Sequence, residues 1–284
     1  MPTQIIQWFP GHMAKTRRLI EENLKEVDIV IEILDARIPK SSKNPEIERL
    51  IKGKKKLVLL NKSSLANETE TKKWVRFYEE CGENVLSVDC ITGFNTDKIV
   101  PKIRDILSEL LKKYESKNMN RRLRAMVLGI PNVGKSSFIN KMCNIKKTQV
   151  ENRPGVTKTK QWVRAGDELE LLDMPGVLWP KFDDRIVGEN LAITNAIKDT
   201  VLLTEEIALA LCTRLKEYAK TEFISRYKLT LDDLDLDDYD LFLLIGKKRG
   251  LLVSGGEIDE ARCASMLLDE YRQGKIGRIS LEIC

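Results

Sequence analysis

The sequence predicts an α/β fold in which a mostly parallel sheet is flanked by helices and followed by a helical C-terminal region. Three observations predict it. Apolar runs of strand length alternate with helical patterns in the first half of the chain, an alternation typical of parallel α/β sheets. A glycine-rich loop, GIPNVGKSS at residues 129–137, separates one such run from a helical pattern. Beyond about residue 184 the strand signal fades and the patterns are helical.

The individual elements follow from short apolar runs and the residues that flank them. Buried strands are predicted at residues 28–34, 56–60, 84–88 and 125–128, and helices at 71–80 and 97–114. The segment QWVRAGDELELLD, residues 161–173, has two short extended runs around a Gly-Asp turn and predicts a hairpin. A length of 284 residues is enough for one large domain or two ordinary ones.

The composition is typical of a soluble globular protein, with 42% hydrophobic and 32% charged residues. The longest apolar runs are interrupted by charges and fall short of the ~20 residues that a membrane span needs. The N-terminus lacks a basic start followed by an apolar stretch, so no export signal is expected. The six cysteines are scattered, without a CxxC pair or metal-ligand spacing. We therefore expect a cytoplasmic protein with free thiols and no membrane span.

Positive charge is concentrated in a few segments, although the net charge is only +5. Residues 112–124, KKYESKNMNRRLR, carry six basic residues against one acidic residue, and GKKRG follows at 246–250. Solvated helix and loop surface is the simpler explanation of any one such run. Basic clusters on both sides of the glycine-rich loop nevertheless leave phosphate-rich RNA open as a partner.

The glycine-rich loop matches the GxxxxGK[ST] pattern, with Gly129 and Gly134 bracketing four residues. In such a loop the backbone N–H groups surround phosphates, the lysine reaches the β- and γ-phosphates, and the hydroxyl after it ligates Mg²⁺. The lysine here is Lys135 and the hydroxyl belongs to Ser136. The predicted phosphate-contacting residues are Asn132, Val133, Gly134, Lys135, Ser136 and Ser137.

Two further segments match the switch motifs of GTPases. DMPG, residues 173–176, has the DxxG spacing, in which Asp173 would hold Mg²⁺ through water and the Gly176 amide would meet the γ-phosphate. Asp-x-Pro-Gly is also a common turn, which is the alternative reading. In RPGVTKTK, Thr157 is the candidate for the second magnesium hydroxyl, and Thr159 is its rival.

The residues that would read the base come earlier in the chain. Asn61 and Lys62 follow an apolar run, as in guanine-reading NKxD motifs, and Ser87 and Val88 follow the next strand, where a short loop contacts the guanine oxygen. The motif order is therefore G4-G5-G1-G2-G3, a circular permutation of the usual GTPase. Permutation is tolerated because domain termini tend to lie close together. We predict a permuted P-loop GTPase domain over residues 1–183 and a helical C-terminal domain over 184–284.

Several longer segments, among them WFPGHMAK, DARIPKSSKNP, DMPGVLWPKF and GENLAITNAIKD, resemble the circularly permuted ribosome-assembly GTPases of the RbgA/YlqF type. The resemblance covers nearly the whole chain. It implies a GTPase that binds an immature large ribosomal subunit, through rRNA and ribosomal proteins, promotes its late assembly and leaves after hydrolysis. It also implies GTP or GDP and Mg²⁺ as ligands. We expect a monomer with no DNA partner.

One residue departs from that family's base-reading motif. The family has an aspartate where this chain has Ser64, and a serine hydroxyl is a weaker acceptor than a carboxylate. Because a charge-assisted hydrogen bond is worth roughly 1.5–3 kcal/mol, guanine affinity and selectivity are expected to fall by about one to two powers of ten. Asn61, Lys62 and the Val88 amide would retain a preference, and Asp89, in the next loop, is a candidate for partial compensation.

The residue at the position that orients the attacking water in Ras-like enzymes is also unusual. Val177 follows DxxG, where Ras-like enzymes have a glutamine, and its side chain makes no hydrogen bonds. The resemblance makes His12, the only histidine, the catalytic candidate; the alternative is a histidine that packs beside Trp8 and Phe9. Asn132 raises a second possibility, because an asparagine there helps related GTPases to bind K⁺. An RNA-binding scaffold with incidental or relaxed NTP hydrolysis is the alternative function.

Overall fold

A six-stranded sheet forms the centre of the protein. The structure is a computed structural model that describes residues 11–119, 121–143, 161–179, 182, 184–197 and 204–284. The strand order is β3-β2-β1-β4-β6-β5, and every neighbouring pair is parallel except β5 with β6. The strands are β1 (Ile29–Asp35), β2 (Lys55–Asn61), β3 (Val85–Ser87), β4 (Leu123–Leu128), β5 (Gln161–Ala165) and β6 (Leu169–Asp173).

The central strands β1, β2 and β4 form because each contains a short run of β-branched and aliphatic residues that is buried on both faces. All seven residues of β1 are buried, as are the last five of β2 and the last four of β4. Continuous apolar runs of this kind are typical of parallel strands covered by helices on both sides. The predicted α/β class and mostly parallel sheet are therefore confirmed. The predicted hairpin is confirmed as well, with Gln161 opposite Asp173.

Helices lie between consecutive strands, except between β5 and β6. Those in the first 200 residues are α1 (Gly11–Asn23), α2 (Pro45–Leu50), α3 (Glu68–Glu80), α4 (Ile99–Ile106), α5 (Ser108–Ser116), α6 (Lys135–Cys143) and α7 (Arg185–Ile193). The helical pattern predicted over 97–114 is confirmed, and it contains two helices, α4 and α5, which are separated at Leu107 (φ −100°, ψ 14°). The Leu107 side chain is buried in the core, and its backbone N–H still donates to Ile103 O at 3.0 Å.

The C-terminal part is helical, as predicted, and includes α8 (Thr204–Tyr218), α9 (Lys220–Tyr227), α10 (Asp238–Lys248) and α11 (Glu260–Arg272). Its apolar residues belong to the same buried cluster as one face of the sheet, which extends from Ile29 to Leu281. The two predicted parts of the chain therefore share a core in this structure. Within the described residues, no helix combines the length and apolar character that a membrane crossing requires.

Candidate nucleotide-binding site

Those predicted nucleotide motifs that fall within the described residues meet at one edge of the sheet. The parallel strands β1, β2, β3, β4 and β6 all point the same way, so the loops at their carboxyl ends lie side by side. That edge is where open α/β sheets bind ligands. The base-reading and phosphate-binding segments are far apart in sequence but adjacent here, because β1 pairs with both β2 and β4.

The phosphate loop runs from the end of β4 into the first turn of α6, which begins at Lys135. Gly134 has φ +98°, and a Cβ there would lie 2.3 Å from Asn61 Nδ2, so only glycine fits. Lys135 Nζ donates to the carbonyl oxygens of Gly129 (3.1 Å) and Ile130 (2.8 Å). Burial lowers the pKa of Lys135 to about 8, against the opposing effect of Asp173. The loop therefore presents a lysine that is still largely cationic at neutral pH.

The DMPG segment lies against this loop, which supports the switch reading over a mere turn. Asp173 ends β6 and pairs in register with Val127 of β4. A Cβ on Gly176 would lie 2.9 Å from the Pro131 nitrogen and 3.0 Å from Lys135 Nζ. The Val177 N–H donates to Gly129 O at 3.3 Å. The segment thus contacts the phosphate loop through its backbone.

Two of the three predicted magnesium ligands, Ser136 and Asp173, lie within the described residues. Ser136 is an exposed residue in the first turn of α6. Asp173 lies close enough to Lys135, the residue before Ser136, to raise the pKa of that lysine. A hydroxyl and a carboxylate at the same edge fit a hard cation that prefers oxygen ligands. Thr157 and its rival Thr159 lie outside the described residues.

Asn61 links the base-reading loops to the phosphate loop. Its side chain is buried, donating from Nδ2 to Val133 O (2.8 Å) in the phosphate loop and accepting at Oδ1 from the Cys90 N–H (3.1 Å) after β3. Both ends of the amide are therefore used to hold the phosphate loop against the base-reading loops. A residue found by its motif in the sequence thus has a structural role that the motif alone does not reveal.

Lys62 makes a second link from the loop after β2 to the phosphate loop, and it also contacts the end of β1. Its Nζ donates to Asn132 O (2.6 Å) and to Asp35 Oδ2 (2.9 Å). Asp35 also accepts from Arg37 Nε (2.9 Å) and Nη2 (2.8 Å). Burial would raise the pKa of Asp35, but Arg37 and Lys62 hold it well below its ordinary value. Burial also lowers the pKa of Lys62, and Asp35 opposes that effect.

The prediction that the Val88 amide reads guanine needs correction. The Val88 N–H donates to Leu60 O at 2.9 Å and so continues the β2–β3 pairing beyond Ser87. The Ser87 carbonyl accepts from Asn95 Nδ2 at 3.0 Å. The next carboxylate, Asp89, instead contacts Ser64, whose hydroxyl donates to Asp89 Oδ2. The base-reading loops are therefore joined through Ser64 and Asp89.

His12 and Asn132 are the two candidates for assisting hydrolysis. His12 is the second residue of α1, and its side chain lies outside the described part of the chain. Asn132 has a left-handed backbone (φ 59°), and its Nδ2 donates to Asn195 O just after α7. The Asn132 side chain therefore connects the phosphate loop to the C-terminal helices.

Sequence reasoning missed residues of the C-terminal tail that hold the loops after β1 and β2 at this edge of the sheet. Arg278 donates from Nε to Ala66 O (3.0 Å) and from Nη2 to Ser63 O (3.1 Å). The carboxylate of Glu282 accepts from the backbone N–H groups of Lys40 (2.7 Å) and Ser41 (2.9 Å). Asp35, at the end of a predicted strand, could have been found by its position, but no local pattern identifies the tail contacts.

Comparison with known proteins agrees with this arrangement. The family model described as "50S ribosome-binding GTPase" matches residues 124–236, which begin at the strand before the phosphate loop. The base-reading motifs precede the matched region, as expected for a permuted chain. The match supports GTPase chemistry at the site formed by the phosphate loop and DMPG.

Full-length relatives extend the comparison to the whole chain. "Ribosome biogenesis GTPase A" of Priestia megaterium is 43% identical over 98% of this chain and 96% of that protein. "Mitochondrial ribosome-associated GTPase 1" of Mus musculus is 33% identical over 98% and 90%. The solved structure "Crystal structure of GNP-bound YlqF from T. maritima" has a TM-score of 0.67 at 26% identity and covers 95% of this chain and 98% of that one. The chain therefore belongs to the ribosome biogenesis GTPase A (RbgA/YlqF) family of circularly permuted GTPases, and it is a guanine-nucleotide-binding GTP hydrolase that functions in ribosome assembly.

Proposed function

We propose that this GTPase binds the immature large ribosomal subunit in the cytoplasm, promotes its late assembly and leaves after hydrolysing GTP to GDP and phosphate. The large subunit is supported by the name of the matched family model, which refers to the 50S particle. The observation that carries the nucleotide part of the proposal is the Asn61 bridge between the phosphate loop and the loop after β3. That bridge joins the base-reading loops, which come first in the permuted order, to the phosphate loop that follows them.

In this proposal the phosphate loop binds GTP through the backbone N–H groups of residues 132–137. Lys135 contacts the β- and γ-phosphates, and its pKa of about 8 keeps it mostly cationic at neutral pH. The Gly176 amide lies beside Lys135, where it would meet the γ-phosphate. Ser136, Thr157 and Asp173 would hold Mg²⁺. When bound, Mg²⁺ neutralises charge on the phosphate oxygens and so favours attack by water.

Hydrolysis needs a residue other than Val177 to orient water. Val177 is 1% exposed in an apolar cluster with Met174 and Ile20, and its carbonyl accepts from Asn44 Nδ2 at 2.9 Å. Ile20 belongs to α1, so this helix shares a buried apolar cluster with the DMPG segment. His12 lies eight residues before Ile20 in the same helix, about 12 Å along its axis. We assign the positioning of water to His12, brought to the γ-phosphate by contact with the ribosomal particle.

A test of His12 separates hydrolysis from docking. His12→Ala should leave GDP affinity and the unassisted rate unchanged, yet remove most of the rate stimulated by saturating large-subunit precursors. Groups that position water or transfer protons contribute on the order of 10²–10⁴-fold. Normal stimulated turnover by the variant in potassium buffer, lost in sodium buffer, would reject His12 and favour a K⁺ ion near Asn132.

Binding to the particle is tested by co-sedimentation with purified large-subunit precursors and, as a control, with small subunits. The wild-type protein with a non-hydrolysable GTP analogue should sediment with the large-subunit precursors only. Lys135→Ala, which should bind nucleotide poorly, should lose this nucleotide-dependent fraction. Equal sedimentation with both particles, or with and without nucleotide, would favour an RNA-binding scaffold instead.

A further inference from the structure

Ser64, which stands where the family has an aspartate, lies beside a carboxylate in the neighbouring loop. Ser64 lies in the loop after β2, and Asp89 lies in the loop after β3, the next strand in the sheet. Leu60 pairs in register with Ser87, so the two loops leave the sheet side by side. The Ser63 N–H extends the pairing by donating to Val88 O at 3.2 Å. Ser64, at the position of the guanine-reading aspartate in NKxD motifs, is therefore next to Asp89.

The contacts of Asp89 use both oxygens of its carboxylate. Oδ2 accepts from the Ser64 hydroxyl and from the Ser64 N–H at 3.3 Å, and Oδ1 accepts from the N–H groups of Ile91 and Thr92 at 2.8 Å each. Asp89 is only 2% exposed, whereas Ser64 is partly exposed. Burial raises the pKa of Asp89, but these hydrogen bonds outweigh it and lower the pKa. The carboxylate is therefore charged and lies behind the serine.

This arrangement fixes what the Ser64 hydroxyl can do. A hydroxyl has one proton and two lone pairs, and here the proton is donated to Asp89. Toward a base, the oxygen can then only accept. The edge of guanine that such a group meets carries two donors, the ring N1–H and the 2-amino group. Adenine presents a ring nitrogen lone pair and a C–H at the same positions. The oriented hydroxyl accordingly accepts from guanine and meets adenine with lone pair against lone pair.

We propose that Ser64 and Asp89 together replace the guanine-reading aspartate, with Ser64 contacting the base and Asp89 acting as the positioning residue that orients and polarises its hydroxyl. The inference rests on the nucleotide site proposed above. A hydrogen bond donated to a charged group strengthens the donor's oxygen as an acceptor in turn. The pair thus recovers part of the selectivity that a lone serine would lose.

The loop that carries Ser64 is held on both sides, as a specificity element requires. Asn61 anchors its start through buried hydrogen bonds to Val133 and Cys90. Arg278 donates to the carbonyls of Ser63 and Ala66, on either side of Ser64. The Ser64 hydroxyl is therefore part of a fixed frame, and its orientation is decided by Asp89.

The test is the ratio of GDP affinity to ADP affinity, measured by titration of the full chain. Asp89→Asn keeps the side-chain shape and an oxygen for the Ile91 and Thr92 amides, but it frees the Ser64 proton to face either base. Ser64→Ala removes the acceptor and leaves the Asp89 turn intact. Each variant should lower the ratio by about tenfold to one-hundredfold. Because the residues act as a unit, the double variant should lose no more than the larger single effect.

A rescue separates this role from a merely structural one. Ser64→Asp alone places a second carboxylate against Asp89, and like charges at hydrogen-bond distance repel, so it should not improve GDP binding. Ser64→Asp combined with Asp89→Asn removes the repulsion and should restore the preference for GDP. Asp97→Asn is the matched control, since it removes an exposed carboxylate from the same connection between β3 and α4.

Each contrary outcome has a distinct meaning. An unchanged GDP to ADP ratio in both single variants, with melting temperatures like the wild type, would overturn the assignment. A wild-type protein that binds ADP as tightly as GDP would overturn it too, while leaving the phosphate loop as a nucleotide site. No binding of GDP above that of Lys135→Ala would overturn the proposed site itself and this inference with it.

Discussion

Glu32, in the middle of the central strand β1, gives the sharpest test of the energetics of this fold. Its side chain is completely buried, and within the described part of the chain neither carboxylate oxygen has a hydrogen-bond partner. The nearest cation is Lys56, whose Nζ lies 3.6 Å from Oε2 and also contacts Glu83 at 2.7 Å. Burial raises the pKa of Glu32 from 4.5 to about 7, and Lys56 and Lys43 oppose the shift. The charged form is therefore disfavoured in the folded protein.

The sign and size of the effect follow from this shift. Above pH 7 Glu32 is ionised in both states, and ionising it in the folded protein costs about 3 kcal/mol, since each pKa unit corresponds to about 1.4 kcal/mol. Below pH 4.5 it is protonated in both states and the cost disappears. Between these values the folded state binds more protons, so this contribution to stability falls as the pH rises.

Glu32→Gln removes the titration while keeping the shape of the side chain. We expect the variant to be more stable than the wild type at pH 8, with the difference shrinking by about 2–3 kcal/mol as the pH falls to 5. Urea unfolding at several pH values measures it. Glu48→Gln is the control: the pKa of this half-exposed neighbour is lowered despite partial burial, through Lys43 and Lys56. Its effect should be small and of opposite sign. A pH-independent difference for Glu32→Gln would refute the reasoning.

Three further predictions concern the site and its supports. Asn61→Ala should lower the free energy of unfolding by about 2–3 kcal/mol, because it leaves two buried backbone groups unpaired, and should weaken GDP binding; a wild-type urea midpoint would contradict the Asn61 bridge. Glu282→Ala should destabilise the protein by about 1–3 kcal/mol in the same assay, and an unchanged value would show that the tail does not hold the loop around Ser41. Val177→Gln should reduce the melting temperature, since it buries a polar amide, without raising basal GTP hydrolysis; faster basal turnover would mean that this position can orient water after all.

Local sequence pattern was sufficient for the sheet and for the phosphate loop. The strands are short apolar runs, and the loop has a fixed spacing because backbone geometry around phosphate demands it. Pattern and structure differ in detail at two points. Leu107 separates α4 from α5 within one helical pattern, and the Val88 N–H, which the motif assigns to the base, donates to Leu60 O in the sheet pairing.

The parts of the site that involve distant residues could not be predicted from one sequence. The contact of Glu282 with Ser41 spans 241 residues, and no spacing rule connects them. The link between Ser64 and Asp89 spans 25 residues and depends on which strands are neighbours in the sheet. The presence of Asp89 was visible in the sequence, but its orientation toward Ser64 follows only from the parallel pairing of β2 with β3.

The most direct test of the account is the rate of GTP hydrolysis with and without large-subunit precursors, measured beside ATP and beside Lys135→Ala. We predict slow GTP turnover by the free protein, strong stimulation by the precursors, little turnover of ATP, and loss of the stimulated rate in Lys135→Ala. Turnover that is unaffected by the precursors, or equal for GTP and ATP, would contradict a guanine-specific enzyme that works on the large ribosomal subunit.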